Sequence, residues 1–150
     1  MTFLRLQKRM VGESETLVKE DFFWALNILC EIKKITTQEN IFNNELKPPY
    51  TTDLLILAAK LMGMRLLKVY RPSCRISAKT LPSLALSNIQ TSNKQSESGH
   101  QLRIDLIVDS RAGKITYMPA NENRIITVRC DDYAKRYTEN LLLIVERGCE

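Results

Sequence analysis

The sequence predicts an α+β fold in which helices come first and pack on an antiparallel sheet built by the rest of the chain. Three observations predict it. Apolar residues recur at helical spacing as far as Gly63. Beyond Gly63 the period shortens towards two, and short strand-like segments follow one another between turn residues. The length of 150 residues suits one domain with one sizeable core.

Taken in order, Met1–Leu17 reads as a flexible lead-in broken by Gly12 and Ser14, with Leu17 and Val18 apolar enough to dock. Residues 18–150 make up the single domain. The first helix spans about Glu20–Lys34, with Phe22, Ala25, Leu26, Leu29 and Ile32 as its apolar stripe. Glu20 and Asp21 at its start and Lys33 and Lys34 at its end suit the helix dipole. Thr36 with Glu39 forms a capping box, which predicts a short helix over Thr37–Asn44. Pro48 and Pro49 then force an extended link. Thr52 is the expected N-cap of a helix that is apolar nearly all round and stops at Gly63.

Met64–Tyr70 reads as a strand, Pro72–Thr80 as a connection with room for one helical turn, and Leu84–Ile89 as a second strand. Gln90–Gly99 is a polar loop. Leu102, Ile104, Leu106 and Val108 alternate with Arg103 and Asp105, the pattern of a half-buried strand. Asp109–Gly113 turns the chain into Lys114–Met118, and Arg124–Val128 follows. Asp131–Tyr137 reads as a short helix and Leu141–Val145 as a buried strand.

Composition excludes several classes of function. The longest apolar run, Leu54–Met64, is broken by Lys60 and Gly63 and falls short of the roughly 20 residues a membrane helix needs. Arg5, Lys8 and Arg9 interrupt the N-terminus, so it lacks a secretory h-region. Cys30, Cys74, Cys130 and Cys149 are scattered, which argues against a metal site and for reduced thiols. No Gly-rich phosphate loop is present. The net charge is +5. Leu54–Ser96 contains no Asp or Glu but carries Lys60, Arg65, Lys68, Arg71, Arg75, Lys79 and Lys94. That stretch reads either as a solvated basic face or as a surface for an acidic partner. No nucleic-acid motif accompanies it, so nucleic acid is not the expected partner.

Nucleophilic catalysis needs a thiol or hydroxyl beside a base. The one histidine is His100, next to a polar loop. Cys30 falls inside the first helix and reads as core. Cys74 falls in a connection, and Cys130 precedes a helix that opens with Asp131 and Asp132, which disfavour a thiolate. Phe22, Phe23 and Trp24 are consecutive, so at least one ring belongs near the surface.

The run Glu20-Asp21-Phe22-Phe23-Trp24-Ala25-Leu26-Asn27-Ile28-Leu29 resembles the first helix of the bacteriocin-processing cysteine peptidases found at the N-terminus of some ABC exporters. Thr52–Arg65 resembles that family's central helix and following strand. Leu81-Pro82-Ser83-Leu84-Ala85-Leu86 resembles its Leu-Pro strand, and Ile115-Thr116-Tyr117-Met118-Pro119 the strand that ends in Asp-Pro. The resemblance spans Val18–Arg147 and implies a papain-like cysteine peptidase fold. It also implies a degenerate triad. The nucleophile's position falls on Asp21, the histidine's between His100 and Leu102, and the orienting acid's on Met118. Glu15 and Thr16 lie where the oxyanion-hole glutamine belongs. His100 is then either a remnant of the old site or an ordinary loop residue.

Similar inactive domains open the type I secretion exporters of RTX toxins and giant adhesins. The resemblance therefore implies a non-catalytic domain at the cytoplasmic face of the bacterial inner membrane, with no cofactor or metal of its own. Its implied partners are an unfolded RTX protein or adhesin and the rest of its own ATP-driven ABC transporter chain. The expected substrate-binding residues are Asp21, Phe22, Phe23, Trp24, His100, Tyr117, Lys68 and Arg71. RTX repeats are rich in Asp, which the basic segment Lys60–Lys79 suits. The alternative is an active cysteine peptidase that processes a leader peptide through Cys130 or Cys74.

Overall fold

The computed structural model describes residues 16–33, 46–89 and 101–145. The helix expected over Thr37–Asn44, the polar loop Gln90–Gly99, His100 and Cys149 lie outside these residues.

Helix α1 spans Lys19–Lys33, one residue earlier at each end than its apolar stripe suggests. Phe22, Ala25, Leu26, Leu29 and Cys30 are fully buried along one face, while Ile32, the last member of the stripe, is 36% exposed. Each fully buried Leu or Phe contributes about 1.5–3 kcal/mol relative to exposure, so this face fixes the helix on the sheet. Cys30 is core, with its thiol directed at the Met62 sulfur 3.4 Å away.

Helix α2 spans Thr52–Leu61. Its N-cap is Thr51 rather than the expected Thr52. The Thr51 hydroxyl accepts from the Leu54 N–H at 3.1 Å, and Thr52 is the first helical residue. The helix ends as a Schellman motif. Met64 N–H reaches Ala59 O and Gly63 N–H reaches Lys60 O, with Gly63 at φ +87°.

Among the described residues seven strands form one sheet: β1 (Thr16–Leu17), β2 (Arg65–Tyr70), β3 (Ser83–Asn88), β4 (Gln101–Arg111), β5 (Lys114–Pro119), β6 (Ile126–Arg129) and β7 (Tyr137–Val145). The order is β2-β7-β3-β4-β5-β6, antiparallel throughout, with β1 added parallel to β4. The end of the presumed lead-in is thus part of the sheet. Leu17 is fully buried, and its N–H bonds Tyr50 O at 2.7 Å. Two 3₁₀ turns, Ser73–Arg75 and Ala78–Thr80, occupy the connection where one turn was expected. Ala112 and Gly113, both at positive φ, close the β4–β5 hairpin as a two-residue loop, so β4 runs on through residues expected to turn. Helix α3 is Cys130–Ala134, shorter than expected, and Tyr137 begins β7 instead of ending the helix.

Both faces of the sheet are covered, which corrects the half-buried reading of β4. Leu84, Leu86, Ile104, Leu106 and Leu142 point to α1 and α2. Ala85, Ile107, Ile115, Tyr117 and Leu141 point the other way and pack with Tyr133 of α3 and with Tyr137. A bulge between Ile107 and Asp109 breaks the alternation, leaving Val108 exposed. Asp105, read as a solvent-facing residue, is buried on the second face. It accepts from Tyr133 Oη and from Arg136 Nη2, each at 2.7 Å. The Arg136 guanidinium lies over the Tyr117 and Tyr133 rings, 5.0 and 5.4 Å from their centroids.

Burial raises the phenol of Tyr133 well above its ordinary value, with the Asp105 carboxylate adding to the shift. Burial likewise raises Tyr137, whose hydroxyl donates to Arg71 O at 2.7 Å. Both groups keep their protons in the folded chain at pH values where unfolded tyrosine ionises, about 10. Their contribution is therefore full below that pH and is lost as pH rises above it. Urea unfolding between neutral and strongly alkaline pH should show stability falling above about pH 10, and Tyr133→Phe and Tyr137→Phe should each flatten that fall. An unchanged alkaline slope in both variants would mean that neither phenol is held as described.

Candidate functional site

The first turn of α1 carries the most constrained polar group on the helical side of the sheet. Asp21, the third helical residue, is 1% exposed. One carboxylate oxygen accepts from Arg103 Nε at 2.7 Å and from the Ile104 N–H at 2.9 Å. The other accepts from Asn121 Nδ2 at 3.2 Å. Arg103 also donates Nη2 to Ala120 O at 3.3 Å. The hydrogen bond to Asp21 raises the guanidinium's affinity for its proton, against the opposing effect of burial. The positive end of α1 favours the carboxylate further. Asn121 takes the positive φ of a turn just after β5, a conformation its side chain tolerates. One carboxylate thus ties the helix start to β4 and to the turn beyond β5.

Both carboxylate oxygens of Asp21 are engaged in hydrogen bonds. Met118 lies opposite Leu106 in the ladder and packs against the core under α1 and α2. A thioether carries no charge with which to orient a base.

Beside Asp21 the surface opens into a cleft of about 520 Å³ lined by Lys19, Glu20, Phe23, Trp24, Asn27, Tyr50 and Asn121. The three consecutive rings divide as geometry requires. Phe22 is in the core, while Phe23 and Trp24 are half-buried at the cleft. Tyr50 packs on both phenylalanines with ring centroids 5.0 and 5.3 Å away.

The remaining expected site residues do not join them. Tyr117 is buried on the opposite face of the sheet, beneath Tyr133 and Arg136. Lys68 lies exposed on β2, with Arg71 just beyond its end. Three strand spacings, about 14 Å, separate β2 from β4. The structure therefore does not bring Tyr117, Lys68 and Arg71 together with Asp21, Phe23 and Trp24. Sequence reasoning missed Arg103, Asn121 and Tyr50. Arg103 had the signature of an ordinary outward strand residue, and only the turn cluster Pro119-Ala120-Asn121 pointed at Asn121.

The thiols sit elsewhere. Cys130 Sγ is 3.8 Å from Ser73 O, and Ser73 Oγ donates to Cys130 O at 2.9 Å. Burial raises the Cys130 thiol above its ordinary value, and Cys74 and Asp131 add to the effect. A thiol held protonated is a poor nucleophile. Cys30 is also buried, whereas Cys74 is exposed. Alkylation of the native protein with iodoacetamide, read by peptide mass mapping, should label Cys74 quickly and Cys30 and Cys130 only on unfolding. Rapid labelling of native Cys130 would contradict this account of its environment.

No protein-family model matches the sequence, and no curated protein matches it. Solved structures do. The N-terminal peptidase C39-like domain of the toxin secretion ATP-binding protein from Vibrio parahaemolyticus is 15% identical, with a TM-score of 0.64, over 87% of this chain and 99% of that one. The peptidase domain of Streptococcus ComA, a bi-functional ABC transporter involved in quorum sensing, is 10% identical, with a TM-score of 0.61, over 89% of this chain and 97% of that one. The peptidase domain of Streptococcus mutans ComA is 13% identical, with a TM-score of 0.51, over 89% and 98%. The chain therefore has the papain-like α+β fold of the peptidase C39-like domains of ABC transporters.

Proposed function

We propose that this chain is a non-catalytic domain of an ABC exporter and that it holds an unfolded RTX-type substrate at the cytoplasmic face of the inner membrane. The observation that carries the reading is Asp21. A peptidase of this fold needs a reactive thiol at the start of its first helix. The resemblance puts that position at Asp21, a buried carboxylate bonded to Arg103, Ile104 and Asn121. Of the two thiols of the rival peptidase reading, Cys130 is buried with its pKa raised and Cys74 is exposed. The exporter context comes from the neighbours, which belong to a toxin secretion protein and to a bi-functional ABC transporter. No described helix is long and apolar enough to cross a membrane, so in this reading any spanning segment belongs to other parts of the transporter.

Substrate capture is assigned to the aromatic cleft. Phe23, Trp24 and Tyr50 offer rigid apolar area, and Lys19, Glu20, Asn27 and Asn121 supply a polar rim. An unfolded chain exposes the apolar side chains that such a surface takes, and exposed aromatic anchors dominate binding of this kind.

The test pairs a cleavage assay with a binding assay. The protein should leave a leader peptide intact, and it should bind a calcium-free, unfolded RTX segment. Trp24→Ala should weaken that binding by about tenfold or more. Cutting that is abolished by Cys130→Ala or Cys74→Ala would overturn the proposal. Binding that survives Trp24→Ala and Phe23→Ala together would overturn the assignment of the cleft.

A further inference from the structure

A second cleft, of about 790 Å³, opens at the far end of the β4–β5 hairpin. It is lined in part by Arg111, Lys114, Arg129, Asp131, Cys74 and Cys130. Its floor has an unusual charge pattern. Arg111 is the cross-strand partner of Lys114, and Lys114 is the cross-strand partner of Arg129. Directly opposed residues share a face, with Cβ atoms about 5 Å apart. Three cations therefore stand in one row across three strands. Like charges so placed repel and cost stability. Arg111 is relieved by Asp109 at 2.8 Å. Lys114 and Arg129 form no ion pair among the described residues, and Asp131 is the one carboxylate lining the cleft.

The row adjoins an open strand edge. Cys130 N–H bonds Gly113 O at 2.9 Å, which sets the hydrogen-bonding phase of β6 against β5. By the alternation of antiparallel ladders, the N–H and C=O of Thr127 and the N–H of Arg129 point away from β5. β6 is the last strand of the described sheet, so those groups have no strand partner within it. Exposed Ile125 lies just before this edge. An extended peptide can pair with such an edge through its backbone while its side chains meet the flanking surface.

We propose that this cleft and the β6 edge together bind an extended, acidic polypeptide segment. Its carboxylates neutralise the Arg111–Lys114–Arg129 row, and its backbone pairs with Thr127 and Arg129. Nucleic acid is the poorer fit. The cleft lining has no aromatic ring for base stacking, and Asp131 opposes a continuous line of phosphates but accepts a peptide N–H. The site is separate from the aromatic cleft and does not depend on the function assigned there.

The experiment measures fluorescence anisotropy of a short labelled peptide of alternating Asp and Gly with the whole chain, at low and high salt. Binding should weaken at high salt. Lys114→Glu should weaken it by about tenfold or more while leaving the melting temperature unchanged or higher, because an opposite charge then stands between two arginines. Thr127→Pro, which removes an outward N–H, should weaken it as well. Trp24→Ala should leave it unchanged, which separates this site from the aromatic cleft. Undiminished binding in a folded Lys114→Glu variant would overturn the proposal. So would loss of binding in Trp24→Ala, or tighter binding of a single-stranded oligonucleotide of equal charge.

Discussion

The buried carboxylate of Asp21 is the contact on which the helical side of this domain depends. It lies at the N-terminus of α1, where the helix leaves N–H groups unpaired and favours negative charge. Its three side-chain and backbone donors come from β4 and from the turn after β5. The apolar face of α1 drives burial, and the carboxylate adds a directional polar tie to its first turn beside the Val18 N–H bond to Leu102 O. The charge matters because the carboxylate is almost entirely out of water, and an unpaired charge there would cost several kcal/mol. Arg103 is about one-third exposed, so solvent screens part of the attraction. The backbone N–H of Ile104 and the amide of Asn121 supply what screening removes.

The proposed function rests on the same anchor, a buried carboxylate at the start of α1 where the resemblance to cysteine peptidases puts the nucleophile. The helix start and the neighbouring strand face one another through the Asp21–Arg103 ion pair. In the aromatic cleft beside it, Phe23 and Tyr50 pack on Phe22 and on each other.

Much of the fold was legible in the sequence where the signal is local. The apolar stripe and end charges placed α1 to within one residue, and Gly63 marked the end of α2. The Asp21 position could be singled out because it falls inside a continuous helical motif. Its partners could not, because Arg103 and Asn121 are 82 and 100 residues away along the chain. The N-cap was misplaced by one residue because Thr51 and Thr52 are chemically equivalent in sequence. Asp105 was misread because alternation reports the pleat of a strand but not what covers each face. The five-residue helix α3 with Tyr133 makes that second face a core. The same cause moved Tyr117 away from the site. Lys68 and Arg71 were grouped with it by charge alone, which carries no information about which edge of the sheet a strand occupies.

The central claim is that Asp21 and Arg103 act as a structural pair. A double-mutant cycle measures this directly, with Asp21→Asn, Arg103→Met and the combined variant compared by urea unfolding. The account predicts a coupling free energy of about 1–3 kcal/mol, with each single change destabilising. Coupling within about 0.3 kcal/mol of zero would contradict it, because the two side chains would then stabilise the domain independently and the anchor described here would not exist.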